Sequence, residues 1–190
     1  MSKVVFSKGD DGLRTKLVQH GEGIQLNEAT QLQTTLNVAG ETTFAGGYKG
    51  KRRVVDLDDT TAAPTAAQSG TVFTFDGSAC TVTLPDTAAG LEYFFVVDTT
   101  QTGNAVITTQ ASDKLCGGFI KSTAAYNETN LSDTTSALDF SAGTANTLTM
   151  NGTTQGGVAG SYIHVIGLGN NKWSVNGAVV ASGNLATSFS

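Results

Sequence analysis

The stretch Gly70 to Val97, GTVFTFDGSACTVTLPDTAAGLEYFFVV, leaves this chain little choice of secondary structure. Three runs inside it carry strand patterning: Val72, Phe73 and Phe75, then Val82 and Leu84, then Tyr93 to Val97. Asp76-Gly77 and Pro85 to Gly90 supply the turns between them. Successive side chains of an extended backbone point to opposite faces. Alternating apolar and polar residues bounded by Gly, Pro and Asp therefore mark half-buried strands. In the second run Thr81, Thr83 and Pro85 alternate with Val82 and Leu84, which gives one hydroxylated and one apolar face. Tyr93-Phe94-Phe95-Val96-Val97 is apolar on both faces, the pattern expected of a strand at the centre of a core.

Composition extends this to the whole chain. Only 14% of the residues are charged, against about a quarter in ordinary globular domains. Gly and Thr are abundant, and helix-favouring Lys and Glu are scarce. The expectation is an all-β protein whose polar surface is built from Thr, Ser, Asn and Gln, a composition common in viral and extracellular structural proteins. At 190 residues it has room for one β domain and an arm. The net charge of −5 argues against a general nucleic-acid binder, which carries a basic excess. No apolar run approaches the roughly 20 residues that cross a bilayer, so no membrane partner is expected. The start, MSKVVFSKGDDGLR, contains no long apolar segment of the secretory kind, so synthesis and folding in a cytoplasm are expected. Cys80 and Cys116 then read as thiols, Cys80 as a buried one, although an even count also permits a disulfide.

Residues 1 to 53 read as an extended N-terminal arm, and 54 to 190 as the β domain. The arm opens with one apolar triplet, Val4, Val5 and Phe6, in polar surroundings. Further on, TTLNVAGETTFAGG (Thr34 to Gly47) alternates Leu36 and Val38 with Thr35 and Asn37 before turning towards Phe44. So thin a stripe cannot bury itself in one chain. At about 25 cal/mol per Å² of apolar area, leaving Leu36, Val38 and Phe44 in water forfeits several kcal/mol. Three copies around an axis would shelter it, so these residues are candidate trimer contacts; an ordinary hairpin packed on the main domain is the alternative. YKGKRR follows, with Lys49, Lys51, Arg52 and Arg53 packed together in an acidic protein. These cations, with Val4, Val5 and Phe6, are candidates for holding an acidic surface such as a capsid shell; a solvated linker is the competing reading.

Nothing in the chain carries a catalytic signature. Asp56, Asp58 and Asp59 lack the spacing and closing Glu of a calcium loop. The carboxylates Asp56, Asp58, Asp86, Glu92 and Asp98 offer a glycosidase pair only by accident, and no repetitive β-helix body supports one. Two cysteines without nearby histidines make no zinc site, and no cofactor is implied. His164 alternates with Ile163 and Val165 and so faces away from both, as a structural histidine. Gly167-Leu168-Gly169-Asn170-Asn171, between YIHVI and KWSV, lacks the third glycine and following helix of a nucleotide loop and reads as a hairpin turn. Gly117-Gly118 suggests a bulge in a strand over Asp113 to Ser122. Trp173 is expected in the core with a partner for its indole N–H. Thr123 to Ala137 reads as a long polar loop, with Tyr126 as its candidate receptor or partner anchor.

The order from the Gly-x-x-Phe strand through TVTLP, AAGLEYFF, GNAVI, DKLCG and NTLT to YIHVIGLGNNKWSVNG, roughly Val54 to Ala181, resembles a domain that recurs in tailed-phage structural proteins. Such domains occur at fibre ends and in capsid decoration (cement) proteins. The Thr34 to Gly47 stretch is similar to repeats of trimeric phage fibre stems, here in a single copy. The resemblance implies an antiparallel β-sandwich or jelly-roll-like domain that often trimerises, and no enzyme. It implies a capsid decoration protein on the outer surface of the virion, with the major capsid protein and its own copies, as a homotrimer, for partners. A short tail or head fibre with a receptor-binding β domain is the alternative.

Overall fold

The computed structural model describes residues 51–58, 60–123 and 136–190. Eleven strands are present among them: β1 (Val54–Leu57), β2 (Thr61–Ala62), β3 (Val72–Phe75), β4 (Cys80–Thr83), β5 (Glu92–Val97), β6 (Ala105–Thr108), β7 (Lys114–Thr123), β8 (Ser136–Ala142), β9 (Thr147–Met150), β10 (Tyr162–Gly169) and β11 (Lys172–Ala181). A single 3-10 turn, Ala66–Gln68, is the one helical element described. The strands form a seven-stranded sheet in the order β1-β3-β5-β10-β11-β7-β8 and a four-stranded sheet in the order β2-β4-β6-β9. Their inner faces share one core, so the domain is an all-β sandwich.

Within that class the pairing differs from the antiparallel, jelly-roll-like arrangement expected. From β1 to β6 the chain changes sheet at every step, and each strand pairs in parallel with the one two places on: β1 with β3, β3 with β5, β2 with β4, β4 with β6. The first half is therefore a two-sided coil of three turns. Parallel neighbours need a crossover connection, and here the crossover is a strand of the facing sheet. Asp76-Gly77 and the Pro85 to Gly90 segment are accordingly corners between sheets, not hairpin turns. The coils are unequal in length, since Val54 stacks on Val72 and Val72 on Phe94. No sequence period betrays them, and the expected absence of any β-helix-like body is corrected to that extent.

The second half closes the sandwich with four antiparallel pairs, β6 with β9, β5 with β10, β10 with β11 and β7 with β8, and one more parallel pair, β7 with β11. The β10–β11 hairpin read from sequence is present, with the expected five-residue turn Gly167 to Asn171 narrowed to Asn170-Asn171. Asn170 and Asn171 both have positive φ (51° and 58°), the left-handed pair that a two-residue turn demands and that Asn tolerates. Leu168 is bulged out beside it, between the pairs Gly167–Trp173 and Gly169–Lys172. Gly117-Gly118, by contrast, forms no bulge, and the register with β8 and β11 runs on through Gly117. These glycines permit close approach instead. A Cβ on Gly118 would lie 2.3 Å from the Asp139 carbonyl oxygen, and one on Gly117 2.7 Å from that of Val175.

The core is aromatic. Phe73 and Phe75 of β3 stack on Phe95 of β5, with centroids 5.6 and 6.0 Å apart, and Tyr93 tilts against Trp173. From the smaller sheet Val82, Leu84, Ile107, Leu148 and Met150 fill the other side. Cys80 is buried there as expected, and neither cysteine forms a disulfide. Trp173 is fully buried, but its Nε1 has no hydrogen-bond partner among the described residues, contrary to expectation. Residues 188 to 190 pair with β9 through Thr149 N–H to Ser188 O (2.9 Å) and Thr147 N–H to Ser190 O (2.9 Å), and so cover the edge of the small sheet.

Candidate interaction face

The outward side of the large sheet differs from an ordinary solvated surface. Because register is set by pairing, residues on that side form rows across five or six of the seven strands. One row runs Thr74, Val96, Tyr162, Ala178, Ile120, Leu138. Another runs Val54, Val72, Phe94, His164, Asn176. The large apolar side chains exposed on the described residues are Val54, Ile120, Leu138, Phe140, Tyr162 and Leu168, and all belong to this sheet.

From the β1 margin inward to β5 and β10 the face is polar and organised. Arg52 lies with its guanidinium 4.0 Å above the centroid of the Phe94 ring, and His164 stacks on the same residue at 4.0 Å and 7°. Glu92 joins both, with Oε1 4.0 Å from Arg52 Nη2 and Oε2 3.4 Å from His164 Nε2. The Arg53 carbonyl accepts the Val72 N–H at 2.9 Å, so the basic stretch enters the sheet directly. Thr74 donates its hydroxyl to Asp56 beside it. His164 thus faces outward, opposite Ile163 and Val165, as expected, and its buried Nε2 makes no hydrogen bond among the described residues. Arg52 is anchored by aromatic and carboxylate contacts, while Lys51 and Arg53 are exposed.

At the opposite margin the usual pattern is reversed. Strand β8, SALDFSA, turns its polar residues in and its apolar residues out: Asp139 and Ser141 are 8% and 4% exposed, Leu138 and Phe140 71% and 60%. Neighbouring β7 does the same, with Lys121 buried and Ile120 62% exposed. The inward polar groups are satisfied. Lys121 Nζ sits 2.5 Å from Asp139 Oδ2, donates to Ser188 Oγ at 2.8 Å and also donates to the Ala186 carbonyl. Asp139 further accepts the Ser188 N–H at 2.7 Å and the Thr187 hydroxyl at 3.3 Å, and Ser141 Oγ donates to the Leu115 carbonyl at 2.7 Å. Burial pushes the Asp139 carboxyl up, but the Lys121 ammonium and the Ser188 donors outweigh it and hold the group below its usual range.

Of the residues singled out from sequence, Val4, Val5, Phe6, Leu36, Val38, Phe44, Lys49 and Tyr126 lie outside the described residues. Sequence reasoning missed the whole apolar margin, because Ser136 to Ala142 was absorbed into a polar loop and what followed it. Its alternation was legible, but nothing local says which of the two faces turns inward. Among the described residues no group of three or more His, Cys, Asp or Glu side chains is placed to hold a metal ion, and no described helix is long and apolar enough to cross a membrane. No protein-family model, curated protein or solved structure gives a significant match to the chain.

Proposed function

We propose that the chain is a structural protein of a phage virion, a decoration protein that binds the outer capsid shell as a homotrimer and stabilises it. It acts by assembly and not by catalysis. The observation that carries this reading, through its homotrimer, is the outward side of the seven-stranded sheet, where Ile120, Leu138, Phe140 and Tyr162 stand in solvent. Contiguous apolar patches of a few hundred Å² on a folded domain mark surfaces that bind other macromolecules. The phage resemblance of Val54 to Ala181 and the basic stretch at the start of the sheet support the assignment to a shell. In mechanism, the triplet Val4-Val5-Phe6 and the cations Lys49, Lys51, Arg52 and Arg53 contact the capsid while the β domain projects from it. A trimer grips several capsid subunits at once, and linked sites raise avidity by about 10²–10⁴ over one weak site.

Co-sedimentation of the full chain with shells of the phage that encodes it tests the reading. Saturable binding at hundreds of copies per virion is expected, weakened by Phe6→Asp. No binding to shells removes the proposal. A handful of copies confined to a tail or a vertex would assign the chain to the alternative, a short fibre with a receptor-binding β domain.

A further inference from the structure

We infer that the inside-out margin formed by β7 and β8 is the surface through which copies of this chain associate with one another. Outward polar and inward apolar residues are the arrangement that a lone domain in water favours. Here a lysine, an aspartate and a serine are turned in, each with its hydrogen bonds made, and isoleucine, leucine and phenylalanine are turned out. Placing the apolar side of β8 outward is unfavourable unless something covers it.

Two observations favour a second copy as the cover. The first is charge. Each copy carries a net charge of −5, so two copies approach best through uncharged surface. No outward position of β8, of β7 beyond Lys114 or of β11 beyond Lys172 holds a charged side chain, whereas Arg52 and Asp56 sit at the other margin and Glu92 on interior strand β5. The second is area. Ile120, Leu138, Phe140 and Tyr162 are 48% to 71% exposed. At roughly 100 Å² each they supply about 400 Å², the scale of a patch that marks an interaction site. With half-buried Val96, Ala178 and Val180 between and beside them, the patch reaches roughly 500 Å², the scale of a small interface below the ~800 Å² per partner of a standard one. The face is that of a twisted sheet, which packs well on another sheet face. This seam gives the proposed trimer a contact inside the folded domain, distinct from Leu36, Val38 and Phe44.

The test is the mass of the full chain in solution, by light scattering and sedimentation over a range of concentrations. The variants are Leu138→Asp, Ile120→Asp and, as a control at the far margin, Val54→Asp. All three positions are exposed, so the fold is retained, and the emission of Trp173 verifies this. The expected result is an oligomeric wild type, a dissociation constant raised at least 100-fold by Leu138→Asp and by Ile120→Asp, and little change with Val54→Asp. A monomeric wild type overturns the inference, as does an oligomer indifferent to Leu138→Asp or equally broken by Val54→Asp. A monomer in which amide exchange shows 136 to 142 shielded would assign the face to another part of the same chain and would also overturn it. Shell binding is read separately. A monomer that still sediments with shells removes the seam and leaves the decoration role, and an oligomer that ignores shells does the reverse.

Discussion

Replacing Asp139 by Asn removes one charge from a site that water does not reach. Lys121 is 2% exposed and Asp139 8%, and the ammonium sits 2.5 Å from the carboxylate. The substitution leaves that ammonium buried with only neutral oxygens, those of Ala186, Ser188 and the new amide. Breaking one partner of a buried pair costs about 3–5 kcal/mol, against roughly 0–1 for an exposed pair. With a urea dependence of about 2 kcal/mol per M, the unfolding midpoint of Asp139→Asn should fall by about 1.5–2.5 M. The double replacement Lys121→Met, Asp139→Leu removes both charges and should recover part of the loss; the rest persists because the buried Ser188 N–H, 2.7 Å from Asp139 Oδ2 in the native chain, loses its acceptor. The pH dependence follows from the direction of the shift. The carboxyl is held below its usual value of 3.8 in the folded chain, so the folded state binds its proton less readily than the unfolded one. Its stabilisation is complete above the unfolded value and is lost as pH falls through the lower, folded one. Asp139→Asn should therefore flatten the acid limb of the stability curve below about pH 4. The assay is urea unfolding followed by the fluorescence of Trp173, repeated at stepped pH. A cost under about 1 kcal/mol for Asp139→Asn, the value of an exposed pair, would refute the claim that this pair pins the C-terminal strap in a dry site.

Three further outcomes are expected. Gly118→Ala should destabilise by about 1–3 kcal/mol, because the added carbon meets the Asp139 carbonyl 2.3 Å away and backbone must move; thermal unfolding reads it. Trp173 is the only tryptophan and is fully buried, so native emission should be blue-shifted and shielded from aqueous quenchers; a red-shifted native spectrum would contradict its place in the core. Arg52→Ala should cost no more than about 1 kcal/mol, the scale of an exposed cation–π contact, while freeing His164 and Glu92 to move, which their NMR chemical shifts would report.

The strands themselves were legible in the sequence, since they depend on local alternation. Val72 to Phe75, Tyr93 to Val97 and the β10–β11 hairpin stand where their patterns put them. Burial at β5 follows the same parity, with Tyr93, Phe95 and Val97 turned inward. The hairpin was readable from GLGNN between YIHVI and KWSV, but its turn is narrower than that stretch: β10 runs on to Gly169, and Asn170-Asn171 alone make the turn. Which strand pairs with which was not readable. A turn after an alternating run can reverse the chain within one sheet or carry it across to the facing one, and both leave the same residues at the corner. Asp76-Gly77 does the second.

The candidate face divides in the same way. Arg52 and its neighbours drew notice as a charge cluster, but their seat on Phe94 and Glu92 depends on strands far apart in the chain. The alternation of Ser136 to Ala142 shows that Leu138 and Phe140 share one side and Asp139 and Ser141 the other. Only the tertiary structure decides that the polar side goes in, because it alone brings Lys121 and the C-terminal residues to meet Asp139. Local chemistry thus determined where this chain extends and turns. The choice of strand partners and of the side left facing water belonged to contacts between distant residues, whose energies no short stretch of sequence contains.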